Sequence, residues 1–288
     1  MRVVHIPEEL GRERRAVAVG TFDGVHLGHR RVIAEARAAG LRPAVVTFHP
    51  HPRTILGNRV ELLCTLERRL ELIEELGVED VLVLRFDEEL VALPPEGFAE
   101  SVLRAIGAEV VAAGEGFRFG HGRTGDLALL ERLGFDVRRV PLVEGVSSSH
   151  IRKLLAGGEV ARAAGLLGRP PEVEGTVVLG DQRGGTLGFP TANLAVPTDL
   201  LVPAYGVYAG AALGRPAAIS IGTHPHYGGT ERRVEAYLLD FEGDLYGRRL
   251  VVELWEWLRD EAAFGSEAEL VAAIADDVRR TRSARRPA

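Results

Sequence analysis

The chain has 288 residues, 46% hydrophobic and 26% charged, with a net charge of −6 at pH 7: enough for two domains with separate cores, and too acidic for a field that tracks nucleic acid. A single cysteine, Cys64, excludes a disulfide framework and a cysteine-built zinc site. Lys153 is the only lysine and no GxxxxGK[ST] string occurs, so P-loop and strand-lysine kinase chemistry are excluded, and any nucleotide must be held by backbone N–H groups, His, Arg and a metal.

The start, MRVVHIPEEL, lacks the long apolar core and small-residue cleavage site of a signal peptide, and no apolar run reaches the roughly 20 residues that span a bilayer. A cytoplasmic protein without a membrane partner is expected. The run 16–19 then predicts a buried strand, and 30–39 predicts a helix with Val32, Ile33 and Ala36 on one face. Between them lies Gly20-Thr21-Phe22-Asp23-Gly24-Val25-His26-Leu27-Gly28-His29. A glycine-rich turn between strand and helix offers its first backbone N–H groups to an anion. His26 and His29, three apart, fall on one side of the helix start and can each give a phosphoryl group hydrogen bonds and some positive charge.

A strand at 43–48 leads into His49-Pro50-His51-Pro52-Arg53, a stiff polar loop that reads either as part of the ligand crevice at the strand ends of an open α/β sheet or as an ordinary proline-stiffened turn. Residues 65–76 read as an amphipathic helix with Leu66, Leu70, Ile73 and Leu76 as its apolar stripe. Strands at 81–86 and 110–113 flank a helix at 95–106, so the alternation implies a parallel sheet covered by helices. Residues 114–126 hold five glycines, Phe117, Phe119, Arg118 and Arg123. Such a loop can cover a flat ring and pair with phosphate. A helix at 127–133 and a fifth strand at 136–140 follow. Ser147-Ser148-Ser149-His150-Ile151-Arg152-Lys153 places hydroxyls and cations at a helix start, where an anion explains the cations better than helix stability does.

Gly168-Arg169-Pro170-Pro171 marks a change of texture, giving domains 1–168 and 169–288. Beyond it, short β runs at 175–179, 191–195, 206–210, 217–222, 234–240 and 249–255 predict a small, mostly antiparallel barrel. A terminal helix follows, with Ser266 and Glu269 in capping-box spacing. The loop 183–193 is glycine-rich and ends in Pro190-Thr191-Ala192-Asn193. Thr191 and Asn193, two apart in extended chain, point the same way and offer oxygens suited to a hard cation such as Mg²⁺. Glu235, within an apolar strand, reads either as a general base facing a pocket or as the solvent side of an alternating strand.

GTFDGVHLGH, TFHPHPR, FRFGHGRTGD and SSSHIRKLL, followed in order by GTLGFPTANL, GVYAG, VEAYLLDFEGDLYG and a WLRDEAAF helix region, resemble the bacterial bifunctional riboflavin kinase/FAD synthetase family over nearly the whole chain. The resemblance implies a Rossmann-like nucleotidyltransferase domain with a parallel sheet, and a β-barrel kinase domain with a terminal helix. It implies phosphorylation of riboflavin to FMN by ATP, then adenylylation of FMN by ATP to FAD with release of pyrophosphate, using Mg²⁺ or another divalent ion. Its substrates are small molecules; neither nucleic acid nor a protein partner is required, and oligomeric state stays open. By the same resemblance Gly20, Thr21, Phe22, Asp23, Gly24, His26 and His29 bind nucleotide, with Ser148, Ser149 and Arg152 holding phosphate and Arg152 neutralising the pyrophosphate. Phe48, Pro52, Phe117, Arg118, Phe119 and Asp126 contact flavin. Gly184, Gly188 and Thr191 bind the kinase's nucleotide, Thr191 and Asn193 hold the metal, and Glu235 accepts the proton of the flavin hydroxyl. Three departures are visible: Ser149 where threonine is common, Gly185 where arginine is common, and residues 220–226, where an N-I-G-x-R-P-T string is usual. Loss of one activity, or a flavin-binding regulator without turnover, are the alternatives.

Overall fold

The computed structural model describes residues 1–180, 184, 187–223 and 232–287. Arg183, Gly185 and Thr186 of the glycine-rich loop, and positions 224–226 of the third departure, lie outside them. The chain forms two compact units: Met1–Val60 with Leu66–Ser147, and Glu61–Thr65 with the chain from Ser148 onward.

The first unit is a six-stranded parallel sheet. Its strands are β1 (Arg2–Val4), β2 (Arg15–Val19), β3 (Arg42–His49), β4 (Asp80–Arg85), β5 (Ala108–Gly114) and β6 (Asp136–Val140), in the order β1-β4-β3-β2-β5-β6. The edge strand β1 has no counterpart in the sequence reading, because three residues are too few to show a period. Alternate residues enter opposite faces. Val17, Val19, Val46 and Val111 join one core, and Ala16, Ala18, Val45 and Ala112 join the other. The chain moves outward from β2 through β3 and β4, then returns to the other side as β5 and β6. That reversal puts the topological switch point between β2 and β5, and α1 (Leu27–Ala38) follows β2 at its carboxyl end. The helix expected over 95–106 is instead a short turn at Pro95–Phe98 continued by a wider π-type segment, Ala99–Arg104.

A buried ion cluster fixes the opposite end of this sheet. Arg15 is 1% exposed and Asp80 0%. The Arg15 Nε donates to Asp80 at 2.9 Å and the Arg42 Nε to the same oxygen at 2.7 Å, so the starts of β2, β3 and β4 share one carboxylate.

In the second unit, helices Ser148–Ala156 and Val160–Leu167 bury Ile151, Leu154, Val160 and Leu167 in the same core as Val173, Tyr208, Ile219 and Leu250. Packing therefore starts this unit at Ser148, about one helical pair ahead of the change in texture at Gly168, because texture registers the strands and not the helices packed on them. The barrel is closed, in the order β10-β11-β8-β7-β12-β9. Its strands are β7 (Glu172–Val178), β8 (Ala192–Ala195), β9 (Gly206–Ala212), β10 (Arg215–Thr223), β11 (Arg232–Leu238) and β12 (Arg249–Arg259), paired antiparallel throughout. The terminal helix, Glu267–Ser283, is capped by Ser266, which accepts from the Glu269 N–H at 3.3 Å. Trp257, Leu258 and Arg259 of the expected helix region belong to β12, which runs on because Arg259 forks onto the buried Asp277 of the helix at 2.7 and 3.0 Å.

Burial pushes the Asp80 carboxyl up, but the hydrogen bonds from Arg42 and Arg15 outweigh this and hold it below its ordinary 3.8. Its contribution to stability is thus complete above about pH 4 and is lost as pH falls through the depressed folded value. Asp80→Asn leaves a buried guanidinium uncompensated and should lower unfolding free energy by about 3–5 kcal/mol at neutral pH. Urea titration at pH 7 and pH 3 checks this: the difference between variant and parent should shrink at the lower pH.

Candidate active sites

The first site is built by the turn that ends β2. The Gly20 N–H still donates to Val46 O at 3.1 Å, and Thr47 Oγ1 donates to Thr21 O at 3.1 Å. The chain then turns sharply, with Phe22 at φ 51°, Gly24 at 79° and Val25 at 40°. Two non-glycine residues in left-handed conformation cost about 1–3 kcal/mol each. Burial of both side chains in the core, Phe22 at 1% exposure, holds them there. Gly20 lies close under the Phe22 ring: a Cβ there would sit 3.2 Å from it.

This turn delivers His26 to the N-cap of α1. The His26 Nδ1 accepts the His29 N–H at 3.3 Å, which places the His26 ring proton on Nε2. The two imidazoles stack, with centroids 3.6 Å apart and planes 14° from parallel, and Phe22 meets His29 edge-on at 5.2 Å. Burial, then the nearby charges of His26 and Arg69, push the His29 ring well below its ordinary 6.5. The expectation that each histidine carries positive charge is corrected for His29: without ligand it is a neutral hydrogen-bonding group. Phe22 and Asp23 are buried beneath the turn, at 1% and 0% exposure, where they hold it in shape. Thr21 and Gly20 keep partial exposure; Gly24 is buried.

The residues expected to touch flavin divide in the same way. Phe48 and Phe119 are core residues; Phe48 packs on Phe86 and Phe98, with centroids 5.7 and 6.5 Å away. Asp126 caps helix Leu127–Arg132, accepting the Leu129 N–H at 2.9 Å, and that bond chiefly holds its carboxyl below the ordinary range. These three have structural partners that account for their identity. Phe117 stacks on Phe119 at 5.5 Å and stays partly exposed beside exposed Arg118; Pro52 opens a short turn and is also partly exposed.

In the second unit, Ser148 and Ser149 open helix Ser148–Ala156, Ser148 half-buried and Ser149 exposed. The Arg152 Nε donates to Glu61 O at 2.6 Å, which ties this helix to Glu61–Thr65. That segment is held further by Leu62, which donates to Asp199 O, and by Thr65 Oγ1, which donates to Glu174 at 2.7 Å.

On the barrel, Thr191, Asn193 and Glu235 converge. Glu235 stands directly opposite Asn193 on the antiparallel pair β11–β8, and opposite Ser220 on β10. Directly opposed residues share a face. Val234, Ala236 and Leu238 fill the barrel core, so that shared face is the outer one, where Glu235, Asn193, Thr191 and Ser220 are half-buried. Thr191 Oγ1 donates to Glu235 Oε2 at 3.4 Å. Two glycines make room: a Cβ at Gly180 would strike the Asn193 amide, and one at Gly184 would strike Phe189 O. The Phe189 N–H donates to Gly184 O at 2.7 Å, closing the loop, and Gly188 takes φ 87°. Both readings of Glu235 therefore hold together: it alternates outward, and the outer face there is a polar cluster.

Arg69 was missed by sequence reasoning. It lies within the Leu66–Leu70–Ile73 stripe of its helix, so a charge at apolar spacing was the available signal.

Known proteins match this arrangement unit by unit. Residues 9–152 match the family model described as FAD synthetase, and 167–285 the one described as riboflavin kinase. The chain belongs to the bifunctional riboflavin kinase/FMN adenylyltransferase family. Members from Listeria monocytogenes and Escherichia coli are 36% and 37% identical, over 93% and 96% of this chain and 92% and 95% of theirs. A crystal structure from Streptococcus pneumoniae, described as a macrolide-efflux protein, superposes with a TM-score of 0.87 at 30% identity, covering 97% of this chain and 98% of that one. The efflux description is that protein's; no helix among the described residues here is long and apolar enough to cross a membrane. Both family halves are present in order, so the chain is a transferase with a riboflavin kinase half and an FMN adenylyltransferase half.

Because its folded value is depressed, His29 should show no titration in NMR spectra of the ligand-free protein between pH 8 and its ordinary 6.5. The unfolded chain takes up this proton first, so His29 makes stability fall as pH drops through about 6.5. A midpoint at or above that value would contradict the buried, stacked geometry.

Proposed function

We propose that the barrel phosphorylates riboflavin and the parallel-sheet unit adenylylates the FMN so formed. The observation that carries the first half is Thr191 Oγ1 3.4 Å from the Glu235 carboxylate, with Asn193 directly across the ladder. Glu235 accepts the proton of the ribityl 5′-hydroxyl as that oxygen attacks the γ-phosphorus and ADP leaves. The Thr191 hydroxyl and Asn193 amide oxygen, backed by Gly184 and Gly180, form a hard-oxygen set that fits Mg²⁺. When bound, the ion neutralises phosphate charge. The protein's own part is to fix those two oxygens and to orient Glu235.

In the second reaction a phosphate oxygen of FMN attacks the α-phosphorus of ATP, and pyrophosphate departs. His26 and His29 donate hydrogen bonds to phosphoryl oxygens from the start of α1, adding to the helix-end N–H groups. No covalent enzyme intermediate is needed; positioning and electrostatics carry both steps. Phe117, Arg118 and Pro52 are assigned to the flavin ring. Ser148, Ser149 and Arg152 offer two hydroxyls and a guanidinium at a helix start, a set suited to phosphate oxygens. Both reactions draw on ATP, which fits a cytoplasmic enzyme.

Incubation with riboflavin, ATP and Mg²⁺, followed by chromatography of the flavins, should yield FMN and then FAD. Glu235→Gln should lower FMN formation at least about 100-fold while added FMN is still converted to FAD, and His29→Ala should do the reverse. Gly180→Ala should displace the Asn193 amide and lower FMN formation about tenfold. A Glu235→Gln protein that still phosphorylates riboflavin would overturn the assignment of the base.

A further inference from the structure

Two arginines are buried completely in the first unit, and they are satisfied in opposite ways. Arg15 spends its donors on Asp80 and on the carbonyls of Gly11, Ile106 and Leu10, at 2.7–3.0 Å. Arg69 is 0% exposed, and its Nη1 donates to Phe48 O at 3.1 Å. Its Nε and Nη2, also buried, meet no acceptor among the described residues. A guanidinium stripped of water and left with open donors is destabilising by several kcal/mol unless an anion compensates it. Such an arrangement persists where the missing acceptor arrives with a ligand.

Its location names that ligand. Phe48 lies near the end of β3, two residues past Val46, whose carbonyl receives the Gly20 N–H, and one past Thr47, which holds Thr21. Arg69 therefore sits at the level of the turn that presents His26 and His29. The His29 Nδ1, also buried, has no acceptor or donor among the described residues either. Arg69 is near enough for its charge to act on the His29 ring, so unpartnered polar atoms of both side chains lie by the N-terminus of the twelve-residue α1.

We infer that Arg69 binds a phosphoryl oxygen of a substrate beside the His26–His29 pair and is a catalytic residue of adenylyl transfer. The inference rests on the reading of that turn as the phosphate site. Arginine keeps its charge at every working pH and presents two N–H groups in a plane, as a phosphoryl group requires. It supplies the fixed positive charge that a neutral His29 does not. Two substrates carry such a group, the triphosphate of ATP and the monophosphate of FMN, and the kinetics separate them.

The test follows FAD formation from added FMN and ATP, with KM for each measured on the full chain. Arg69→Gln should lower kcat/KM at least about 100-fold, and Arg69→Lys should restore roughly tenfold of that. A rise confined to the KM for ATP assigns the triphosphate, and one confined to FMN assigns the flavin phosphate. Riboflavin phosphorylation by the same protein reports that the chain is folded. If Arg69→Gln does not fold, Arg Nε–H NMR of the parent protein replaces it: adding inorganic pyrophosphate or FMN should shift the Arg69 resonance. Folded Arg69→Gln with kcat/KM within about threefold of the parent, or an unmoved resonance, overturns the inference. His29→Ala is measured alongside. If it leaves FAD formation intact, the reading of the turn falls and this inference with it; if His29→Ala stops the reaction and Arg69→Gln does not, only the role of Arg69 falls.

Discussion

The parallel-sheet unit depends on how its chain leaves β2. A strand that ended in an ordinary turn would carry the next helix away with its N-terminus facing solvent. Here Phe22 and Val25 are forced into left-handed conformation and kept there by the core, and the helix begins with two imidazoles stacked 3.6 Å apart. The strain and the function are the same feature. Relaxing Phe22 would free its ring from His29 and loosen the hydrogen bond that sets the His26 tautomer. The ion cluster of Arg15, Arg42 and Asp80 does the complementary task at the far end of the sheet, locking the strand starts so that the strand ends stay in register.

The barrel solves a different problem with different means. Its interior is filled by apolar side chains, and Asn193, Glu235 and Ser220 face outward. Cross-strand pairing does the positioning: Asn193, Glu235 and Ser220 stand side by side on three neighbouring strands. Glycines at 180 and 184 then leave space where a methyl group would push the amide or the loop aside.

Much of this was legible in the residues. Alternation of apolar strands with amphipathic helices gave the parallel sheet, and six short β runs gave all six barrel strands. The GTFDGVHLGH string located the first turn, because glycine and histidine spacing is local information. Where the sequence was silent, the cause was distance along the chain. Glu61–Thr65 joins the second unit through bonds to Asp199 and Glu174, more than a hundred residues away. Phe48, Phe119 and Asp126 were ligand contacts by resemblance; that Phe48 and Phe119 are buried in the core and that Asp126 caps a helix are tertiary facts. Arg69 lies inside an amphipathic pattern that its leucines dominate.

On the proposed reading, two chemically separate sites act in sequence on a flavin released between them. Mixing His29→Ala chains with Glu235→Gln chains tests it most directly, using riboflavin, ATP and Mg²⁺ and reading FAD. The account predicts that the mixture makes FAD although neither variant does so alone, since FMN made by one barrel is adenylylated by the other chain's sheet unit. FMN accumulating without FAD, from two folded variants that each keep their own half-reaction, would contradict it.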